Sequence, residues 1–261
     1  MAIIHLEARL NDGNEIWRAD APFGEALAVL NRKEESENYQ AIEVPISTSQ
    51  LAIARMQFPT DHSLNQNGSY TRESFLYARN GFPLLDRDSP FQDADLARKA
   101  IEANRTGKYF ITEDRTLYEK RLEVAEREEK EDVPFKKRKV IILPSREKFN
   151  ISSSGNWRVY NFMIEDKQYL KHVEQNSLLV DLVDTKIVDS QTGTLVTQTW
   201  FRSFPYDSGV NGNYRGLYCG GWVRGVFSIT SEARAQKNLG PATDRKESEP
   251  LSYTQELEEE L

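Results

Sequence analysis

Cysteine is nearly missing: the 261 residues contain only Cys219, so no disulfide can form within the chain and no Cys/His cluster with zinc spacing exists. A reducing compartment, the cytoplasm, is the expected location. Histidine is almost as scarce, with His5, His62 and His172, none of them at helical or metal-ligand spacing from another. General-base chemistry by imidazole therefore has little support. No apolar run approaches the roughly 18 residues that span a bilayer, so no membrane partner is expected. Met1 to Leu10 alternates charged and apolar residues without a basic stretch leading into an apolar run, and no secretory signal is read there. The Asn-x-Ser/Thr triplets at Asn67, Asn104 and Asn150 are accordingly read as chance.

The usual nucleotide and hydrolase motifs are also missing. No G-x-G-x-x-G or G-x-S-x-G occurs, and Thr106-Gly107-Lys108 lacks both the upstream glycine and the following Ser/Thr of a phosphate cradle. Leu217-Tyr218-Cys219-Gly220-Gly221-Trp222 resembles the nucleophile region of papain-like proteases over a few residues. That family places its cysteine early, at a helix N-terminus, with a histidine far downstream. Here the cysteine comes late and no histidine follows, so Cys219 is read as a small residue in a glycine-rich strand. No catalytic residue and no cofactor is assigned.

What is present is charge: 29% of the chain is charged, with 34 Lys and Arg against 41 Asp and Glu, a net charge of -7. A global field of that sign repels phosphates and argues against a wholesale nucleic-acid binder. Alternation from Ile3, with Asn11 to Asn14 as turn residues, predicts a hairpin. Phe23, Ala26, Leu27 and Leu30 share one helical face, Tyr39 to Ile46 reads as a strand, and Ser47-Thr48-Ser49 caps a helix through Met56. Phe58 to Pro90 reads mostly as loop, with one short helix around Arg72 to Arg79. Helices are predicted over Asp93 to Asn104 and from about Glu113 to Lys130, the latter nearly all charged at its end. Beyond Pro134, strands are expected at Lys136 to Leu143, Asn156 to Ile164, Ser177 to Val188, Thr194 to Phe204 and Tyr214 to Ile229. Between them, 165–175 reads as a short helix or irregular crossing and 189–193 as a hairpin turn.

The expected fold is α+β. Residues 1–57 form a small α+β unit, 58–92 a long loop and 93–133 a helical connector. Residues 134–230 form an antiparallel sheet, sandwich or partly open barrel, and 231–261 a disordered polar, acidic tail. Two groups of side chains are candidate sites. Lys136, Lys137, Arg138 and Lys139, joined by Arg158, Tyr160, Trp200, Arg202, Tyr214 and Arg215, would make a basic, aromatic sheet face of the kind that stacks bases and holds phosphates. The duller reading makes the lysines a guard on a strand edge. Asp86 and Asp88, and separately Asp207, are oxygen ligands for a hard cation, although their spacing fits no calcium loop. The leading expectation is a non-enzymatic structural or accessory subunit of a larger assembly, viral, phage or bacterial, whose partners are other subunits or itself. An RNA or single-stranded DNA binder is the alternative, and a metal-dependent carboxylate enzyme the second.

Overall fold

The computed structural model describes residues 3–34, 38–151, 156–173, 178–203, 209–213, 216–218 and 221–230. The tail from 231 onward, Asp207, Tyr214, Arg215 and Cys219 lie outside the described residues.

The chain begins with the hairpin β1 (Ile3–Arg9) and β2 (Glu15–Ala21). Its turn closes through Leu10 N to Asn14 O at 2.8 Å, and Gly13 supplies the positive φ of 84°. Helix α1 (Phe23–Glu34) follows Pro22, with Glu25 in its first turn and Arg32 and Lys33 in its last, matching the helix dipole. Next come β3 (Tyr39–Glu43) and α2 (Thr48–Met56), whose first turn is capped by Ser47 Oγ accepting from Gln50 N at 3.2 Å. The short α3 (Ser63–Gln66) is capped in the same way by His62 Nδ1, which accepts from Leu64 N at 3.2 Å.

Strands β4 (Ser69–Tyr77) and β5 (Leu84–Asp86) lead to α4 (Ala94–Arg105), capped by Asp93, then β6 (Phe110–Ile111) and α5 (Leu117–Lys130). The remainder is β7 (Val140–Ile142), β8 (Phe149–Asn150), α6 (Trp157–Met163), α7 (Gln168–His172), β9 (Leu179–Asp181), α8 (Thr185–Asp189), β10 (Leu195–Phe201), β11 (Gly209–Asn211) and β12 (Gly221–Ile229).

All 12 strands among the described residues join one open, mixed sheet, in the order β1-β2-β12-β4-β10-β11-β9-β8. β3 adds to β12, β5 joins β4 to β7, and β6 pairs with β10. The pairs β12/β4 and β11/β9 are parallel and the others antiparallel. The fold is therefore α+β as expected, but the sheet is neither a sandwich nor a barrel, and strands from early and late in the chain alternate across it.

Both faces of this sheet are covered. In β10, Leu195 and Phe201 point into one apolar cluster while Val196 and Trp200 point into another, as the period of two requires. The first cluster packs β4, β10 and β11 against α2, α6 and α7 through Phe75, Phe162, Tyr169 and Val210. The second packs β2 and β12 against α1 and α4 through Ala19, Phe23, Leu30, Ala97 and Phe227. A smaller one seats α5 on β5 and β7 through Tyr118, Ala125, Leu84 and Val140.

Several expectations are corrected. The presumed loop over Phe58 to Pro90 contains β4, a central strand, and the helix expected at Arg72 to Arg79 is strand through Tyr77. The strand expected at Asn156 to Ile164 is the helix α6, with Val159, Tyr160, Phe162 and Met163 buried along one helical side. Ser177 to Val188 is only briefly strand before it becomes α8, so 189–193 joins a helix to β10 rather than two strands. At Lys136 to Leu143 only Val140–Ile142 pairs; Phe135–Lys137 is one turn of 3-10 helix after Pro134. The last strand begins at Gly221 rather than Tyr214.

Candidate functional site: a basic pocket at Lys136 to Lys139

The turn of 3-10 helix and the residues after it carry Lys136, Lys137, Arg138 and Lys139 to the wall of a pocket of about 180 Å³. Its other walls come from Glu43 at the end of β3, Ser47 at the cap of α2, Arg72 and Glu73 in β4, and Arg87 and Asp88 just after β5. The volume suits a carboxylate- or phosphate-sized group and falls below the roughly 300–1,000 Å³ of a drug-sized site.

Six cationic side chains face three carboxylates here, and the carboxylates are already engaged. Arg72 donates to Asp88 Oδ1 at 2.7 Å and lies 3.8 Å from Glu43. Glu43 also accepts from Ser47 Oγ at 2.9 Å. Glu73 is buried at the floor, where its carboxylate accepts from Thr48 N at 3.0 Å and Thr48 Oγ1 at 2.9 Å, at the first residue of α2. Burial pushes the Glu73 carboxyl above its usual range despite these hydrogen bonds. Gln198 extends the network by donating to the Glu73 carbonyl at 2.9 Å and accepting from Ser89 Oγ at 2.7 Å.

Two arginines are fixed from behind. Arg87 donates to Phe162 O at 2.8 Å and Glu165 Oε1 at 3.0 Å and lies 4.4 Å over the Phe162 ring. Arg138, 6% exposed, donates from Nε to Val133 O at 2.7 Å and stacks 4.3 Å over Phe135. The main chain at Lys139 is tied down by Glu128 of α5, which accepts from Lys139 N at 2.9 Å. Lys136, Lys137 and Lys139 are exposed and form no ion pair among the described residues. The wall is rigid and its outer charges are unspent, an arrangement that attracts an anion. The Ser47 oxygen that donates to Glu43 also accepts the capping bond from Gln50 N of α2.

The other nominated residues are scattered. Arg158 sits on α6, pairs with Glu129 at 2.6 Å and reaches to 5.7 Å over Phe135, beside the basic segment but off the pocket wall. Tyr160 is fully buried, with its hydroxyl donating to Asp166 O at 2.6 Å. Trp200 packs edge-on against Tyr70 at 4.9 Å in the α1–α4 core. Arg202 pairs with Asp181, which Lys148 also approaches at 2.9 Å. Tyr214 and Arg215 lie outside the described residues.

Asp86 and Asp88 do not converge on an open cation site. Asp86, fully buried, lies 2.7 Å from Arg121 Nε of α5 and accepts from Asp88 N at 2.9 Å. Burial raises its carboxyl to about 6, with Arg121 opposing. Among the described residues no group of three His, Cys, Asp or Glu side chains is arranged to hold a metal. Sequence reasoning found the lysines from their charge density but missed Arg72, Arg87 and Glu43, which only the pairing of β4 and the turn after β5 brings to them.

No helix among the described residues is long and apolar enough to cross a membrane. No protein-family model and no curated protein matches this sequence. Among solved structures, the chain is similar to a protein from Nanoarchaeota reported for the accommodation of massive sequence variation by the C-type lectin fold. The two share 12% identity at a TM-score of 0.53 over 87% of this chain and 100% of the other, a likeness of fold alone.

Proposed function

We propose that this protein is a non-enzymatic accessory or structural subunit of a larger protein assembly, and that the basic pocket receives an acidic segment of a neighbouring protein. One observation carries the reading: Lys136, Lys137 and Lys139 crown a pocket whose own carboxylates are already held, in a chain of net charge -7. Free cations concentrated on an acidic protein give directional, steering attraction for an acidic partner. A protein neighbour is favoured over nucleic acid because, of the nominated aromatic residues that are described, Tyr160 is wholly buried and Trp200 is partly buried edge-on against Tyr70. The likeness to a fold that accommodates massive sequence variation in another protein supports a scaffold role, since a sheet buried on both faces holds its shape while surface residues change. A cytoplasmic location belongs to the same proposal and rests on the single cysteine.

The test is fluorescence anisotropy at low salt with a labelled hexaglutamate peptide and, separately, a short labelled oligothymidylate. Peptide binding that weakens with added salt and exceeds oligonucleotide binding is expected. Peptide indifference, or tighter binding of the oligonucleotide, would overturn the proposal.

A further inference from the structure

A second feature lies where α1 meets β2 and β3. The ring of Trp17 in β2 and the ring of Tyr39 in β3 meet edge-on, with centroids 5.7 Å apart and planes at 77°, so together they form two walls of a corner. The ammonium of Lys33, from the last turn of α1, sits in that corner 3.4 Å from the Trp17 centroid and 3.5 Å from that of Tyr39. At the edge of the indole is the Glu15 carboxylate, 1% exposed, which accepts from Trp17 Nε1 at 3.0 Å and from Arg9 Nε at 3.1 Å.

Each part suits a cation. Ring faces carry negative electrostatic potential, and the best walls for an ammonium are tryptophan and tyrosine. The carboxylate, whose charge is shared with Arg9, adds some negative potential at the ring edge and, through its bond to the indole N–H, fixes the tilt of Trp17. Two sides of the Lys33 nitrogen face rings rather than hydrogen-bond acceptors, which leaves its hydrogens to solvent on the open side. Burial accordingly lowers the Lys33 ammonium from its ordinary range, with Glu15 opposing. An ammonium whose hydrogens are replaced by methyl groups has no donors to leave unsatisfied, and it loses less on entering such a corner. The corner is also reachable: Trp17, Lys33 and Tyr39 are all only half-buried, and a lysine on the last turn of a helix swings away by side-chain rotation alone.

We propose that Trp17, Tyr39 and Glu15 form a recognition site for a methylated ammonium ion, which Lys33 occupies as a displaceable internal plug. The chemistry admits two sources, a methylated lysine on a partner protein or a small quaternary ammonium compound. The site stands apart from the basic pocket and has the opposite charge preference, so it does not depend on the function proposed above.

The test uses the full chain carrying Lys33→Ala, a substitution that favours the helix. Choline and a short peptide containing one trimethyllysine are titrated by calorimetry into this variant, the native chain, and Trp17→Ala/Lys33→Ala, after thermal melts establish that each is folded. Removing the plug is expected to tighten binding about tenfold over the native chain, the size of one desolvated cation–π contact, and loss of Trp17 is expected to abolish it. Choline binding alone identifies a small-molecule site, and tighter binding of the trimethyllysine peptide identifies a protein-borne ligand. If neither probe binds the folded Lys33→Ala chain more tightly than the native one, or if Trp17→Ala/Lys33→Ala binds equally well, the proposal fails. Should Lys33→Ala not fold, Lys33→Ser also empties the corner and is read by the same titrations.

Discussion

Glu7→Gln should be among the most damaging single substitutions in this protein. Glu7 of β1 and Arg224 of β12 reach across β2 to form a two-point ion pair, with Arg224 Nε to Glu7 Oε2 at 2.5 Å and Arg224 Nη2 to Glu7 Oε1 at 2.9 Å. Both side chains are inaccessible, 0% and 3% exposed, and Ser63 Oγ and Arg18 also approach Glu7, at 2.8 and 3.7 Å. The glutamine leaves the Arg224 guanidinium buried without a counter-charge, and removing one member of such a pair costs about 3–5 kcal/mol. At roughly 2–4 °C per kcal/mol for a chain of this size, the melting temperature falls by on the order of 10 °C.

The pH dependence has a definite sign. Burial raises the Glu7 carboxyl, but Arg224, Ser63 and Arg18 together outweigh it and hold it below the usual carboxylate range. A depressed carboxylate contributes stability that is present above its unfolded pKa and lost as pH falls through its folded value. The difference between native and Glu7→Gln stability should therefore shrink as the solution is acidified below the usual glutamate range. Urea unfolding followed by tryptophan fluorescence at neutral and acidic pH measures both effects. A loss under about 1 kcal/mol at neutral pH would refute the reasoning, because that is the value of an exposed pair. Replacing both partners, as Glu7→Leu/Arg224→Met, should recover at least half of the loss, since a buried pair exchanged for apolar groups is often neutral.

Asp86 predicts a slope of the opposite sense. With its carboxyl raised to about 6 from 3.8, the folded chain holds a proton that the unfolded chain releases, so stability from this group falls by about 3 kcal/mol as pH rises through that window and is level above it. The difference in urea midpoint between native and Asp86→Asn across pH 4 to 6 isolates it, and parallel curves would contradict the assignment. Gly209 in β11 packs so closely on β9 that an added Cβ would lie 2.5 Å from the Leu179 carbonyl oxygen. Gly209→Ala should therefore separate these parallel strands and cost on the order of 1–3 kcal/mol by overpacking; an unchanged chemical-denaturation midpoint would show that β9 yields without penalty.

The elements legible in the sequence are those whose local signals agree with their burial. The first hairpin, α1, α2 and α4 each combine an apolar face with a turn or cap; Ser47 caps as read, and Asp93, the expected start of α4, is its cap. Strand β4 was not legible because it buries Thr71, Glu73 and Ser74 among its apolar residues, and Glu73 is met by Thr48, 25 positions away. Helix α6 was misread because tryptophan, valine, tyrosine and phenylalanine favour strands, while the buried positions 159, 160, 162 and 163 follow a helical spacing that outranked propensity. The same limit applies to the sites. Lys136 to Lys139 announce themselves as a charge run, whereas the arginines that neutralise Asp86 and Asp88 come from α5 and β4 and have no local mark. The Lys33 corner is likewise assembled from three separate elements.

The measurement that bears most directly on the proposed function is the affinity of the hexaglutamate peptide for the native chain and for Lys136→Glu/Lys137→Glu/Lys139→Glu, at matched low salt and with equal thermal stability established first. Three exposed ion pairs at about 0.5 kcal/mol each correspond to about a tenfold loss from removing the lysines alone, and charge reversal should exceed it. A loss of that size, accompanied by a flatter salt dependence, is the expected result; unchanged affinity in a folded variant would contradict the account.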